Sequence, residues 1–374
     1  MTKPRMRVLV LAPHFAEYTL RLATSLAARA EVMLVIDGKN LAQECEDVLV
    51  REARRAGVRT VTYRYSSTLA RAFWLFAILA HAWLFRPEVI HVQEQADKST
   101  ARLVGALARL APMVLTVHDP EPHSGIDAER ARLTAGYRAA MRGLAKSFHV
   151  HGAFCARLMR STLHPEDGRQ IVPTAHGVIL TPSLERLLAS TPQRILFFGR
   201  METYKGVEIL LDAFDLLVAR GVPVQLAVAG RGPEADRLGE RMRGTEGVEL
   251  YASFLTPSEA IEQFQRASAV ITPYLDATQS GVVAAAIANG RPLVASRVGG
   301  LIDAVGDGAE GLLVEPGDAR ALAAAIAYII TDRTLQTRLA GNALAAAGTK
   351  FSWNEIGATM MEVYEALRAK ATKA

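Results

Sequence analysis

A chain of 374 residues, half of them apolar and 22% charged, is long enough for two domains and too apolar for a disordered or collagen-like protein. Its two cysteines, Cys45 and Cys155, exclude a disulfide framework, and no Cys-x-x-Cys pair or His/Cys cluster signals structural zinc. The net charge of +5 is lopsided, with 24 Lys/Arg against 17 Asp/Glu in residues 1–185 and 19 against 21 in residues 186–374.

That imbalance points the first half towards something anionic, a phosphate-bearing substrate or a membrane surface. No basic helix with interleaved aromatics favours nucleic acid. After the charged start Met1–Arg7, the apolar run Val8–Leu11 is too short for a signal peptide, so a cytoplasmic protein is expected. Short apolar runs then alternate with helical patterns, as in a parallel sheet with crossover helices. Strands are predicted at Arg7–Ala12, Val32–Ile36, Arg59–Tyr63, Val89–Val92, Met113–Val117, Ser147–Val150 and Gln170–Pro173. Helices are predicted over Tyr18–Ala28, Leu41–Ala56 and Ala101–Leu110. The most apolar stretch, Thr68–Phe85, falls short of the ~20 residues of a membrane span, is broken by Arg71 and His81, and stops at Arg86-Pro87. It reads as a buried or half-buried helix, with a role resting on a membrane surface left open by its aromatics.

Thr174–Pro192 reads as a linker, and the second half repeats the scheme. Strands are predicted at Arg194–Phe198, Gln225–Ala229, Val248–Tyr251, Ala269–Thr272, Pro292–Ala295 and Gly311–Val314. The helices there include Gly206–Arg220, Ala235–Arg243, Pro257–Ala267, Gly281–Asn289 and Asp318–Ile330. Two such units predict an α/β chain of two Rossmann-like domains, residues 1–185 and 186–350, with ligands in the crevice outside the carboxyl ends of the strands.

The richest chemistry begins where Arg194–Phe198 runs into Gly199-Arg200, and then, after four residues, into Lys205-Gly206 and a helix. A planar guanidinium, a compact ammonium and a helix start with free N–H groups would converge on one strand end, which suits a diphosphate. Solvated loop charges beside turn glycines are the plainer alternative.

This spacing resembles the donor-phosphate motif of glycosyltransferase family 4, the group 1 glycosyltransferases, retaining enzymes of the two-domain GT-B fold. Ala229-Gly-Arg-Gly-Pro-Glu234 resembles the family's glycine-rich turn beneath the nucleotide, which nominates Gly230. Gly290-Arg-Pro-Leu-Val-Ala-Ser-Arg-Val-Gly-Gly300 resembles its Gly-x-Pro-Val-Val-Ala-x-x-x-Gly-Gly stretch. Phe351-Ser-Trp-Asn354 resembles its closing segment, which implies that residues 351–374 form a helix crossing back to the first domain. The resemblance covers most of the second half. It implies transfer of a sugar, with retention, from a nucleoside-diphosphate sugar to a glycan, lipid-linked or small-molecule acceptor in surface polysaccharide or glycolipid synthesis. Neither a metal nor another cofactor is implied, and the place of work is the cytoplasm or, peripherally, the inner face of the cell membrane.

One departure is clear. The family's two glutamates, eight positions apart, would fall at Ala277 and Ala285, and shifting the register by one brings only Ala284 or Ala286 to the second position. In their place Thr278, Gln279, Ser280 and Gly281 precede a helix. The first three can hydrogen-bond or cap it, and Gly281 lets a ligand approach the backbone, so all four are nominated for donor binding. The first domain lacks the family's Gly-Gly pair after strand one. There, His14 and Glu17 are candidates for the acceptor or donor, or alternatively caps of the next helix. His118 stands at the family position beside the donor sugar, with Asp119 and His123 as acceptor-side neighbours. Arg200, Lys205 and His118 are thus the catalytic nominees. His91, Glu94, His149, His151 and His176, at other strand ends, are expected to be mostly structural. Two further readings share the fold: a nucleotide-sugar epimerase with the same donor site, and a non-catalytic GT-B-like scaffold that has lost the glutamates.

Overall fold

The computed structural model describes residues 5–122, 126–182 and 193–371. Its first sheet holds β1 (Arg7–Ala12), β2 (Glu31–Asp37), β3 (Arg59–Tyr63), β4 (Val89–Gln93), β5 (Met113–Thr116), β6 (Ser147–His151) and β7 (Gln170–Thr174), in the order β3-β2-β1-β4-β5-β6-β7. The second holds β8 (Arg194–Phe198), β9 (Gln225–Ala229), β10 (Val248–Tyr251), β11 (Ala269–Thr272), β12 (Leu293–Ser296) and β13 (Gly311–Val314), in the order β10-β9-β8-β11-β12-β13. All pairings are parallel. Parallel sheets need cover on both faces, which is why their strands are apolar throughout: Val8–Ala12 of β1 are completely buried. Both sheets are the Rossmann-like α/β units expected.

The crossovers of the first unit are α1 (Ala16–Ala27), α2 (Gly38–Glu44), α3 (Asp47–Arg55), α4 (Thr68–Phe85), α5 (Lys98–Leu107), α6 (Ile126–Leu144) and α7 (Gly152–Ser161). Those of the second are α8 (Val207–Ala219), α9 (Pro233–Arg237), α10 (Gly239–Gly244), α11 (Pro257–Arg266), α12 (Gly281–Ala288), α13 (Leu301–Ala304), α14 (Ala319–Thr331) and α15 (Arg333–Gly348). Strand order reverses between β1 and β4 and again between β8 and β11. At such switch points the flanking loops part and leave a crevice. Across the crevice the loops after β1, β4 and β5 face Arg200 after β8, and Asp119 meets Thr278 after β11.

A last helix, α16 (Trp353–Ala371), leaves the second unit and completes the core of the first. Ile356, Met360, Tyr364 and Leu367 pack into the cluster formed by β1, β2 and α1. Ser25 Oγ donates to the Trp353 carbonyl at 2.5 Å, and Trp353 Nε1 donates to the Val178 carbonyl at 2.7 Å. A Cβ on Gly357 would stand 2.0 Å from Ser25 Oγ, so only glycine lets α16 lie this close to α1.

Two predicted helices are broken. Leu41–Ala56 is α2 plus α3, because Cys45 and Glu46 are extended, and Asp37 starts α2 early by accepting from the Lys39 and Asn40 N–H groups. Ala235–Arg243 is likewise divided at Leu238. Helices α6, α7 and α15 were not singled out in the sequence pattern. Among the described residues no helix is long and apolar enough to cross a membrane. Residues 183–192 of the predicted linker lie outside the described residues.

Candidate active site

The loop after β8 is built on backbone-to-backbone contact. Gly230 has φ +149°, and a Cβ there would stand 1.8 Å from the Gly199 carbonyl oxygen. Gly206 has φ +68°, and a Cβ there would stand 2.0 Å from the Pro273 oxygen. Gly199 N donates to Ala229 O at 2.9 Å and Met201 N to Arg231 O at 2.8 Å, fixing the loop against its neighbour. The glycines thus serve close packing of the β8, β9 and β11 loops, which presents Arg200 at the crevice. Gly230→Ala is therefore expected to lower the melting temperature and weaken nucleotide binding together. Left-handed strain alone costs about 1–2 kcal/mol, and the overlap with Gly199 adds to it. A thermal melt with and without nucleoside diphosphate checks this; an unchanged melt would contradict it.

Aromatic faces set the two cations. The Lys205 ammonium lies 3.8 Å from the centre of the buried Tyr274 ring and 5.0 Å from that of Tyr204. Arg200 Nη2 donates to the Tyr204 hydroxyl at 3.3 Å. Arg200 also lines a cavity of about 360 Å3 whose other walls come from the first domain: His14, Phe15, Gln95, His118, Asp119 and Arg138 among them. His14, His118, Asp119 and Arg200 therefore line one cavity.

Their states differ. Burial pushes the His14 imidazole down to about 4, partly offset by Asp119, and among the described residues its Nδ1 has no hydrogen-bond partner. Burial also holds His118 well below the usual imidazole range, helped by His14 and His176. Both His118 nitrogens are occupied, Nε2 with Gln93 Oε1 at 2.9 Å and Nδ1 with His151 Nε2 at 3.1 Å. His118 is thus a neutral, oriented wall packed 4.0 Å from the Phe15 ring centre. Gln95 Oε1, also without a partner among the described residues, lines the cavity, and the sequence gives no sign of it, of Arg138 on α6 or of Tyr274. No spacing motif carries any of the three.

The other nominees are placed elsewhere. Thr278 Oγ1 donates to Asp119 Oδ1 across the crevice, and the Cys155 thiol donates to the Thr278 carbonyl at 3.0 Å. Gln279 and Ser280 line a second cavity, about 340 Å3, with His151, His176, Asp303 and Lys350. Ser280 caps α12, accepting from Val283 N at 3.4 Å. The room left at Gly281 is filled from within: a Cβ there would meet Ile179 at 3.2 Å and His176 at 3.9 Å. The residues after β7 thus fold over the start of α12. Glu17 is also committed, its Oε1 accepting from Arg21 Nε and from Leu180 N, each at 2.8 Å. It anchors the linker and lines a separate small pocket with Glu44 and Glu46. His123 lies outside the described residues. Ala277 and Ala285 are both 1% exposed and belong to the second core, so no open position awaits a glutamate.

The remaining strand-end histidines form a buried network. The Tyr364 hydroxyl meets His91 Nδ1, His91 Nε2 lies 2.5 Å from Thr116 Oγ1, Thr116 Oγ1 lies 3.0 Å from His149 Nδ1, and His149 Nε2 lies 2.8 Å from Thr174 Oγ1. Glu94 pairs with Arg142 at 2.7 Å.

Comparison with known proteins agrees with this fold. Residues 192–332 match the family described as "Glycosyl transferases group 1", and residues 15–174 match "Glycosyl transferase 4-like domain". A "D-inositol 3-phosphate glycosyltransferase" of Xylanimonas cellulosilytica is 30% identical over 319 residues, 80% of this chain and 73% of that one. A protein of the same name from Corynebacterium urealyticum is 31% identical over 180 residues, but the match spans only 42% of its length and 46% of this chain. Among solved structures, Anabaena HepE in complex with UDP-glucose superposes with a TM-score of 0.68 at 18% identity, covering 97% of this chain and all of the other.

Proposed function

The chain belongs to the group 1 glycosyltransferases, and from that premise we propose that it moves a sugar, with retention, from a nucleoside-diphosphate sugar to a glycan, lipid-linked or small-molecule hydroxyl acceptor. The observation that carries the reading is the cavity in which Arg200 faces His14, His118 and Asp119 across the crevice. Arg200 and Lys205, with the start of α8 behind them, are assigned to the diphosphate, where they stabilise charge as the leaving group departs. The sugar is assigned to the opposite wall, where a neutral His14 and Gln95 retain hydrogen-bonding capacity that hydroxyl groups would use. His118 orients that wall as a neutral imidazole. Asp119, held by Thr278, ties the two domains together at the site.

In the step proposed, the bond from the anomeric carbon to the diphosphate oxygen breaks while the acceptor oxygen bonds to the same face. The acceptor's proton passes to a diphosphate oxygen. No protein carboxylate is needed as nucleophile, which accommodates Ala277 and Ala285 at the glutamate positions.

Metal independence belongs to the same proposal, since Arg200, Lys205 and Arg138 supply cations where a divalent ion would otherwise sit. Transfer is expected to persist in EDTA and to be unaffected by added magnesium or manganese. The test presents UDP-, GDP-, ADP- and dTDP-sugars with and without acceptor, following nucleotide release and the product's anomeric configuration by NMR. Loss in EDTA with rescue by metal would overturn the metal-free mechanism. Epimerised sugar formed without acceptor would instead identify the epimerase, and absence of nucleotide binding the scaffold.

A further inference from the structure

Helix α4 carries an exposed apolar stripe that the donor site does not use. Leu69, Phe73, Phe76 and Trp83 are separated by four, three and seven residues, so they share one face of the helix. They are 62–84% exposed, and Leu84 beside them is 70% exposed. The opposite face is fixed, with Ile78, Ala82 and Phe85 buried in the core beneath the sheet. The 18 residues of α4 include no Asp or Glu. Helices α5 and α6 continue the layer and add exposed Leu133, Tyr137 and Leu144. Together α4 and α5 hold three Lys/Arg and no Asp or Glu.

The end of α4 joins this stripe to a basic groove. Trp83, Leu84 and Phe85 line a hollow of about 440 Å3 with Arg7, Arg59, Arg86 and one acid, Glu31. Arg7 Nε donates to the Arg86 carbonyl at 2.8 Å, which holds the groove's floor in place. Apolar side chains bordered by arginines match a bilayer interface, where acyl chains and anionic headgroups lie side by side. A second copy of the chain fits less well. Paired helices flank an apolar seam with charged residues of both signs, whereas the positions beside this stripe include Ala70, Ala72 and Ala77, and α4 has no acid to pair with its Arg71.

We infer that this face of the first domain docks on a lipid bilayer bearing anionic headgroups. The α4 stripe dips into the acyl boundary, and the Arg7–Arg59–Arg86 groove receives a headgroup phosphate. Docking stands apart from the donor site; its consequence for the substrate, that the acceptor is lipid-linked, rests on the transfer reading.

The experiment sediments the full chain with vesicles of phosphatidylcholine alone or with about one-third phosphatidylglycerol. Binding is expected to the anionic vesicles and to weaken as salt is raised. Phe73→Ser with Phe76→Ser should weaken it at least about tenfold, the loss of two interfacial aromatics. Arg59→Ala with Arg86→Ala should remove the preference for anionic over neutral vesicles. Both double variants alter exposed residues, and nucleotide affinity should be unchanged in each, so a failure of docking is distinguishable from a failure of the donor reading. The inference is overturned if the wild-type chain stays in solution with anionic vesicles. It is also overturned if sedimentation velocity shows a dimer that Phe73→Ser with Phe76→Ser dissociates.

Discussion

Arg200→Ala is expected to slow sugar transfer by about a hundredfold or more, and Lys205→Ala by a similar factor, the scale on which a single oriented donor to developing charge contributes. In the proposed reaction the leaving diphosphate gains its charge beside these two side chains, which share Tyr204 as a neighbour. The variants should differ in stability. Arg200 is exposed at a loop tip, so its removal should leave the melt unchanged. Lys205 lies on the Tyr274 and Tyr204 rings, so its loss should cost about 1–2 kcal/mol of cation–π attraction as well. Lys205→Arg separates the roles: it keeps a cation over the rings but replaces a point charge with a fork. Initial rates alongside thermal melts decide the matter, and wild-type turnover in Arg200→Ala would remove the diphosphate from this loop.

The second large effect is acid sensitivity. Burial lowers His14 and His176 to about 4 and His149 to about 3, and holds His91, His118 and His151 well below the usual range. In the unfolded chain each returns to about 6.5. Between these values the unfolded state binds more protons than the folded one, so stability is full above about pH 6.5 and falls as pH drops towards 4. At pH 5 a histidine held near 4, such as His14 or His176, favours unfolding by about 2 kcal/mol. The other buried histidines act in the same direction, against a typical domain stability of about 5–15 kcal/mol. Denaturant unfolding should therefore show a far lower midpoint at pH 5 than at pH 7.5, and the first domain, which holds all six, should open first. Equal midpoints at the two pH values would contradict the buried network.

What was legible in the sequence follows from which physical signals are local. Parallel strands buried on both faces leave unbroken apolar runs, so β1, β8, β9 and β11 lie where the runs lie. The break between α2 and α3 was not legible, because Cys45 and Glu46 are ordinary helix-compatible residues whose extended backbone is set by their surroundings. At the site, Arg200 was legible because a cation after a strand, with glycines at each turn, is a local pattern. The partners that decide each residue's state were not: Tyr274 lies 69 positions beyond Lys205, and Leu180 lies 163 beyond Glu17. Gly281 illustrates the limit. A glycine at a helix start reads the same whatever lies over it, and here a Cβ would meet Ile179 at 3.2 Å.

The central claim, that a nucleoside diphosphate sits on Arg200 and Lys205 facing the histidine wall, is tested most directly by calorimetric titration of UDP, GDP and ADP into the wild-type chain and Arg200→Ala. One nucleotide should bind the wild type, and the variant should bind it at least about tenfold more weakly, the worth of one charged hydrogen bond. Equal affinity in the two proteins would place the diphosphate elsewhere and contradict the account.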